Sequence, residues 1–231
     1  MTDPWFTQLA VFDLETTGID VETSRIVSAH IGVIDAAGAV AESYSWLANP
    51  GVEIPAGATA VHGISTEYAR ANGRPAGEVV GEIILCLETM FARGLAVTIY
   101  NATYDLTLLN RESYRHGLAP LSEPTPVIDP LVLDKTIDKY RAGKRTLSAA
   151  AEFYGVELLD AHDAGADAIA AGRVAQAMAR RYGEELHLSA TELHEAQVTW
   201  CAEQQADFVD YMRRTHKPDY VSTRPGDWPH Y

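Results

Sequence analysis

Two carboxylates stand two residues apart in "VFDLETTG" (residues 11–18), where an apolar run gives way to a glycine turn. If residues 9–14 form a strand, alternation of side chains puts Asp13 and Glu15 on one face, near enough to repel. Three further positions share their character. Asp105 in "YNATYD" follows the apolar run 95–100, at the carboxyl end of a strand, where α/β sheets tend to build sites. In "HDAGAD", His162 stands just before a helical segment and Asp167 in its early turns, with Ala164, Gly165 and Ala166 leaving space between them. Each has a bland alternative. Asp-x-Glu pairs are mostly solvated, Asp167 suits a helix N-terminus, Asp105 suits a cap, and His162 suits a loop. Their co-occurrence in this order is what the alternatives leave unexplained.

The elements that must position these residues are legible in outline. Residues 9–14 read as a strand closed by "TTG", and 25–35 and 39–48 as strands joined in a hairpin at "AAG". Residues 73–94 read as a helix, with Val80, Ile83, Ile84, Leu87, Met90 and Phe91 at 3.6-residue spacing. A buried strand at 95–100 precedes a helix at 104–117, and "TPVIDP" reads as a short strand before another helix. Residues 145–155 and 163–183 are helices that end in glycine. Strands in a meander, then alternating with helices, predict a mixed sheet with helices on its faces. Residues 191–214 read as a long helix with Leu193, Trp200, Phe208 and Tyr211 on one stripe, before an irregular end containing Trp228 and Pro229.

Composition bounds the partners. The 231 residues fit one domain with an extension, and 47% hydrophobic content supplies an ordinary core. No stretch is long and apolar enough for a membrane span, the first residues lack the pattern of a secretory signal, and two cysteines make no disulfide framework. These features predict a cytoplasmic protein. A net charge of −14, from 18 Lys+Arg against 32 Asp+Glu, argues against coating nucleic acid by charge alone. "KTIDKYRAGKR" (135–145) is the exception, with five basic residues against one acid. Such a run is usually a solvated face, yet here it is the segment best suited to follow a phosphate backbone.

"FDLETTG", "NATYD" and "HDAGAD" resemble the three motifs of the DEDDh family of 3′–5′ exonucleases, which are similar to the epsilon proofreading subunit of bacterial replicative polymerase. "VHGIS" (61–65) resembles the family's substrate loop, and "RTLSAAAEFYG" its helix before the third motif. The likeness covers about residues 7–182. It implies an RNase H-like α/β fold: a mixed five-stranded sheet, the first three strands antiparallel and the rest parallel, flanked by helices. It also implies an exonuclease domain over 1–186, with 187–231 as a C-terminal helical extension packed on it.

By position, the resemblance makes Asp13, Glu15, Asp105 and Asp167 the metal ligands, with His162 as the fifth catalytic residue and general base. The sister class carries tyrosine one position later, where this chain has Asp163, so the histidine class is implied. Thr16, Thr17 and Gly18 would meet the 3′-hydroxyl region through backbone N–H groups. His62 and Ile64 would line the last base's pocket, and Asn101 would bind substrate. Four carboxylates together raise one another's pKa values, and two Mg²⁺ ions, replaceable by Mn²⁺, would balance that charge. Ions about 4 Å apart stabilise both attacking and leaving oxygens of a phosphoryl displacement.

The implied function is metal-dependent hydrolysis of single-stranded or frayed 3′ ends to 5′-mononucleotides, on DNA in repair or proofreading, with a polymerase as the further partner. RNA trimming of the oligoribonuclease or RNase T kind is the alternative within the class, since the 2′-OH is read by pocket geometry. A non-catalytic nucleic-acid or polymerase-binding module is the alternative from another class, and the complete acid set speaks against it. A structural Ca²⁺ site would need loop-like ligand spacing, which these dispersed acids lack. Two departures stand out. Tyr100 replaces the histidine that usually opens the second motif, and the tail follows no polymerase- or clamp-binding pattern.

Overall fold

The computed structural model describes residues 4–158, 163–222 and 228–230. Strands β1 (Leu9–Thr16), β2 (Ile26–Ile34) and β3 (Val40–Asn49) form an antiparallel meander. β5 (Ala96–Thr98) and β6 (Val127–Ile128) extend the sheet in parallel on the other side of β1. All five expected strands are present. A sixth, β4 (Arg74–Pro75), pairs in parallel with the end of β3, giving the order β4-β3-β2-β1-β5-β6. Its proline is tolerated because the strand lies at the sheet edge.

β1 is covered on both faces, which is why it reads as a continuous apolar run rather than an alternating one. Ala10, Phe12 and Leu14 join the core shared with α3 (Ala76–Ala92) and α4 (Ala102–Arg115). Leu9 and Val11 join the opposite core, with α5 (Pro130–Ile137), α6 (Leu147–Tyr154) and α7 (Ala164–Arg181). Asp13 and Glu15 continue that second face. α7 crosses it closely at Gly172, where a Cβ would lie 2.5 Å from Val11 Cγ1 and 2.6 Å from Ile34 Cδ1.

Two short helices, α1 (Ala56–His62) and α2 (Thr66–Asn72), occupy a stretch in which no helix is predicted, and α3 begins at Ala76 rather than at 73 because β4 and the Pro75 cap precede it. The last helix, α8 (Ala190–Thr215), opens with a capping box in which Ser189 and Glu192 satisfy each other's backbone N–H. Leu193 and Gln197 are fully buried and Trp200 packs against both cores. Gln204 donates to Val132 O and to Thr136 Oγ1. Phe208 and Tyr211, expected to share the buried stripe, are 52% and 47% exposed and meet the rings of Tyr220 and His216. Trp228 is buried in the first core and packs on His194, with ring centroids 5.0 Å apart.

Candidate active site

The register of the first hairpin sets the first two acids in place. Asp13 pairs with His30 and Glu15 with Ser28, and a bulge after Glu15 turns the chain out of the ladder. Asp167 arrives from the first turn of α7, whose N-cap Asp163 accepts from the Gly165 and Ala166 N–H groups. Gly165 suits the approach, since a Cβ there would stand 3.2 Å from His30 Nδ1. One carboxylate oxygen from each of Asp13, Glu15 and Asp167 lies within 4.8 Å of the others. Asp105, buried in the first turn of α4, is the largest source of negative charge on Asp13.

The electrostatics record the crowding. Burial, then the charges of Asp105, Glu15, Asp167 and Asp163, hold Asp13 well above the ordinary carboxylate range. Burial first, then Asp167 and Asp163, push Glu15 up to about 8. Asp105 is raised mainly by burial and further by Asp129, against hydrogen bonds from its own and the Leu14 backbone N–H. Hard oxygen donors that resist ionising together are the donor set that a divalent cation stabilises, so the residues fit the implied metal.

In EDTA the folded protein keeps a proton on Glu15 that the unfolded chain, at its ordinary 4.5, releases. The Glu15 contribution to stability therefore falls as pH rises between about 4.5 and about 8, by on the order of 2 kcal/mol. Thermal melts from pH 5 to 8.5 should show the decline, Glu15→Gln should make it shallower, and Mg²⁺ should stabilise more at pH 8 than at pH 5. A melting temperature that climbs over this range in EDTA would contradict the assignment.

Asp13, Asn101 and Asp167 line one cleft of about 440 Å³ with Tyr100, Leu131, Lys135, Arg145, Thr146 and Leu147. The Tyr100 hydroxyl donates to Arg145 O at 2.8 Å, so the residue that departs from the family pattern fastens the cleft wall. On the other side, the turn after β1 is built as a unit. Thr16 Oγ1 donates to Gly18 O at 2.7 Å, and the Tyr104 hydroxyl bonds to Gly18 O and lies 2.8 Å from Thr16 Oγ1. Thr17 N–H is spent on Arg25 O and Thr17 Oγ1 accepts from Arg25 N–H, so Thr17 closes the turn and its N–H does not face the cleft. His62 Nδ1 accepts from Ile64 N–H, which leaves Nε2 to donate to Thr16 O at 3.3 Å. Ile64 is half-buried against the small core of Val27, Ile54 and Ala69. His162 lies outside the described residues.

The basic run is mostly occupied by the protein itself. Arg141 is bidentate to the buried Asp134, Arg145 pairs with the same carboxylate at 2.6 Å, and Lys139 pairs with Asp207 at 2.7 Å. Lys135 and Arg145 are its members that line the cleft. Sequence reasoning missed Asp163 as a cap, Thr146 as a cleft residue and Asp129 as a brace, and it reached Lys135 only as part of the basic run. An Asp followed by small residues at a helix start, and Asp-Pro at another, were signals for the two caps.

Residues 10–175 match the RNase T family model, described as an exonuclease. Over 165 residues the chain is 30% identical to the PolC-type DNA polymerase III of Streptococcus pneumoniae, covering 71% of this chain and 10% of that protein. It is 35% identical over 129 residues to a DNA polymerase III subunit epsilon-like protein of Rhodobacter capsulatus, covering 55% of this chain and 17% of that one. The chain thus spans a small part of the curated relatives it matches. The fold is similar to that of E. coli exonuclease I in complex with a dA16 oligonucleotide, with a TM-score of 0.68 at 19% identity, over 78% of this chain and 42% of that one. Another exonuclease I structure, again with a TM-score of 0.68 at 19% identity, covers 92% of this chain and 45% of its own.

Proposed function

The chain belongs to the RNase T exonuclease family, and from that premise we propose that it is a 3′–5′ exonuclease that uses two Mg²⁺ ions to release 5′-mononucleotides from single-stranded or frayed DNA ends. The observation that carries the reading is the trio Asp13, Glu15 and Asp167, with oxygens within 4.8 Å of one another, of which Asp13 and Asp167 line the cleft. The relatives named as parts of DNA polymerase III favour DNA over RNA. No helix among the described residues is long and apolar enough to cross a membrane, and we place the protein in the cytoplasm.

In this reading Asp13, Glu15 and Asp167 hold the metal and Asp105 completes the set from α4. Held there, the ions would supply Lewis-acid activation of water and would neutralise charge on the leaving 3′ oxygen. His162 accepts the proton of the attacking water, because an ordinary pKa near 6.5 leaves imidazole mostly neutral at pH 7. The Thr16–Gly18 turn, braced by His62 and Tyr104, receives the terminal nucleotide beside Asn101. Lys135 offers the cleft a positive charge in a protein of net charge −14. Residues 187–231 act as an extension of the 1–186 domain.

The test uses 5′-labelled single-stranded DNA and RNA oligonucleotides with Mg²⁺ or EDTA. Shortening from the 3′ end with Mg²⁺ alone, faster on DNA, is the expected result. Intact oligonucleotides would overturn the nuclease reading, and faster loss of RNA would move the substrate to RNA.

A further inference from the structure

β6 is a short edge strand, and an open edge needs covering. Side chains of α8 do this in place of another strand. Val127 N–H donates to His194 Nδ1 at 3.1 Å, and Gln197 Nε2 donates to Val127 O at 3.0 Å. Asp129 N–H in turn donates to Gln197 Oε1 at 2.7 Å. Gln197 is fully buried and further anchored to its own helix through Leu193 O.

What this fixes is Asp129, 2% exposed, whose carboxylate gathers three backbone donors. Oδ1 accepts from Leu131 N–H and from Asn101 N–H, each at 2.9 Å, and Oδ2 accepts from Ala102 N–H at 3.0 Å. Asp129 is therefore the N-cap of α5 and also an external cap for α4. The second role is needed because Asn101, the N-cap of α4, makes no side-chain cap bond and sits in the left-handed region at φ 64°. A non-glycine residue there is held by its surroundings. Asp105 lies in the first turn of the helix that begins at this point.

We infer that Gln197 and Asp129 are positioning residues for the acid cluster: α8, outside the family-matched residues, sets where α4 begins and thereby where Asp105 stands beside Asp13. This rests on the reading of the acids as metal ligands. Without the Gln197 amide, the buried Asp129 N–H and Val127 O lose their partners, and the loop carrying Asp129 is free to shift.

The test compares the full chain with Gln197→Met, which keeps length and helix propensity, and with Asp129→Asn, which keeps volume but faces Ala102 N–H with a donor. Amide exchange at Asn101 and Ala102 in metal-free protein is expected to rise ~10-fold in Gln197→Met, while α3 amides stay as in the parent. Mn²⁺ titrated calorimetrically without substrate is expected to bind about 10-fold more weakly in both variants, as with other supporting contacts of metal sites. A general loss of stability would speed exchange everywhere and leave Mn²⁺ affinity of the folded fraction unchanged. Parent-like Mn²⁺ affinity in folded Gln197→Met, or in Asp129→Asn should the former not fold, overturns the inference. A parent that binds Mn²⁺ yet leaves DNA intact overturns the nuclease reading instead, since neither exchange nor metal affinity depends on turnover.

Discussion

Asp13→Asn is expected to lower Mg²⁺-dependent hydrolysis by about 10³-fold or more, equivalent to roughly 4 kcal/mol of transition-state stabilisation, and to make the metal-free protein more stable. Both effects come from one cause. Asp13 is the acid on which the other charges converge, with Asp105, Glu15, Asp167 and Asp163 all raising its pKa after burial. An amide of the same shape removes a donor that the cation needs and a charge that the apo pocket resists. Near pH 8 in EDTA the variant should melt a few degrees higher than the parent, since ~1 kcal/mol shifts a domain of this size by about 2–4 °C. Mg²⁺ should stabilise the variant less than it stabilises the parent. Turnover within a few-fold of the parent would end the metal-ligand assignment, whereas equal loss of activity and apo stability would mean that Asp13 serves the fold.

His162→Ala should reduce the rate by ~10²–10⁴-fold, the usual worth of a positioned general base. The residue immediately precedes Asp163, the N-cap of α7, so the chain enters the helix that carries Asp167 directly from it. A proton acceptor leaves a distinct signature. In the parent, kcat should rise with pH as imidazole becomes neutral, and in the variant that limb should disappear. Mn²⁺ affinity should stay near the parent's, because His162 moves a proton and holds no metal in this mechanism. A pH-independent loss accompanied by weaker metal binding would transfer His162 to the ligand set, and a rate near the parent's at pH 7 would remove it from the reaction.

The local signals in the sequence carried the acids and the sheet, and the long-range ones were hidden. The first two strands and the one at 95–100 were legible because buried apolar runs leave a strong one-dimensional trace. α1 lacked such a trace: it is seven residues long and buries none of them fully, so it has no periodic apolar stripe to read. The basic run misled for a related reason. Its spacing along the chain could not reveal Asp134, fully buried beneath it and holding Arg141 and Arg145. Asp129 announced its cap through the following Pro130, yet its bonds to Asn101 and Ala102 join positions 28 and 27 residues apart. Phe208 and Tyr211 keep the helical period of Leu193 and Trp200, and periodicity does not say where the surface beneath a helix stops.

Gly172 bears on the tolerance of this site to change. With a Cβ there confined to 2.5 Å from Val11 and 2.6 Å from Ile34, the missing side chain acts as a spacer gauge between α7 and the sheet. Asp167 rides on the same rod five residues earlier, about 7.5 Å along the axis. A single added methyl must either tilt the rod or lift it, and in both cases the carboxylate travels with it. A position with no functional group, no charge and no contact with substrate thus carries a dimension of the reaction. A survey of variants that scored only ionisable residues would pass over it.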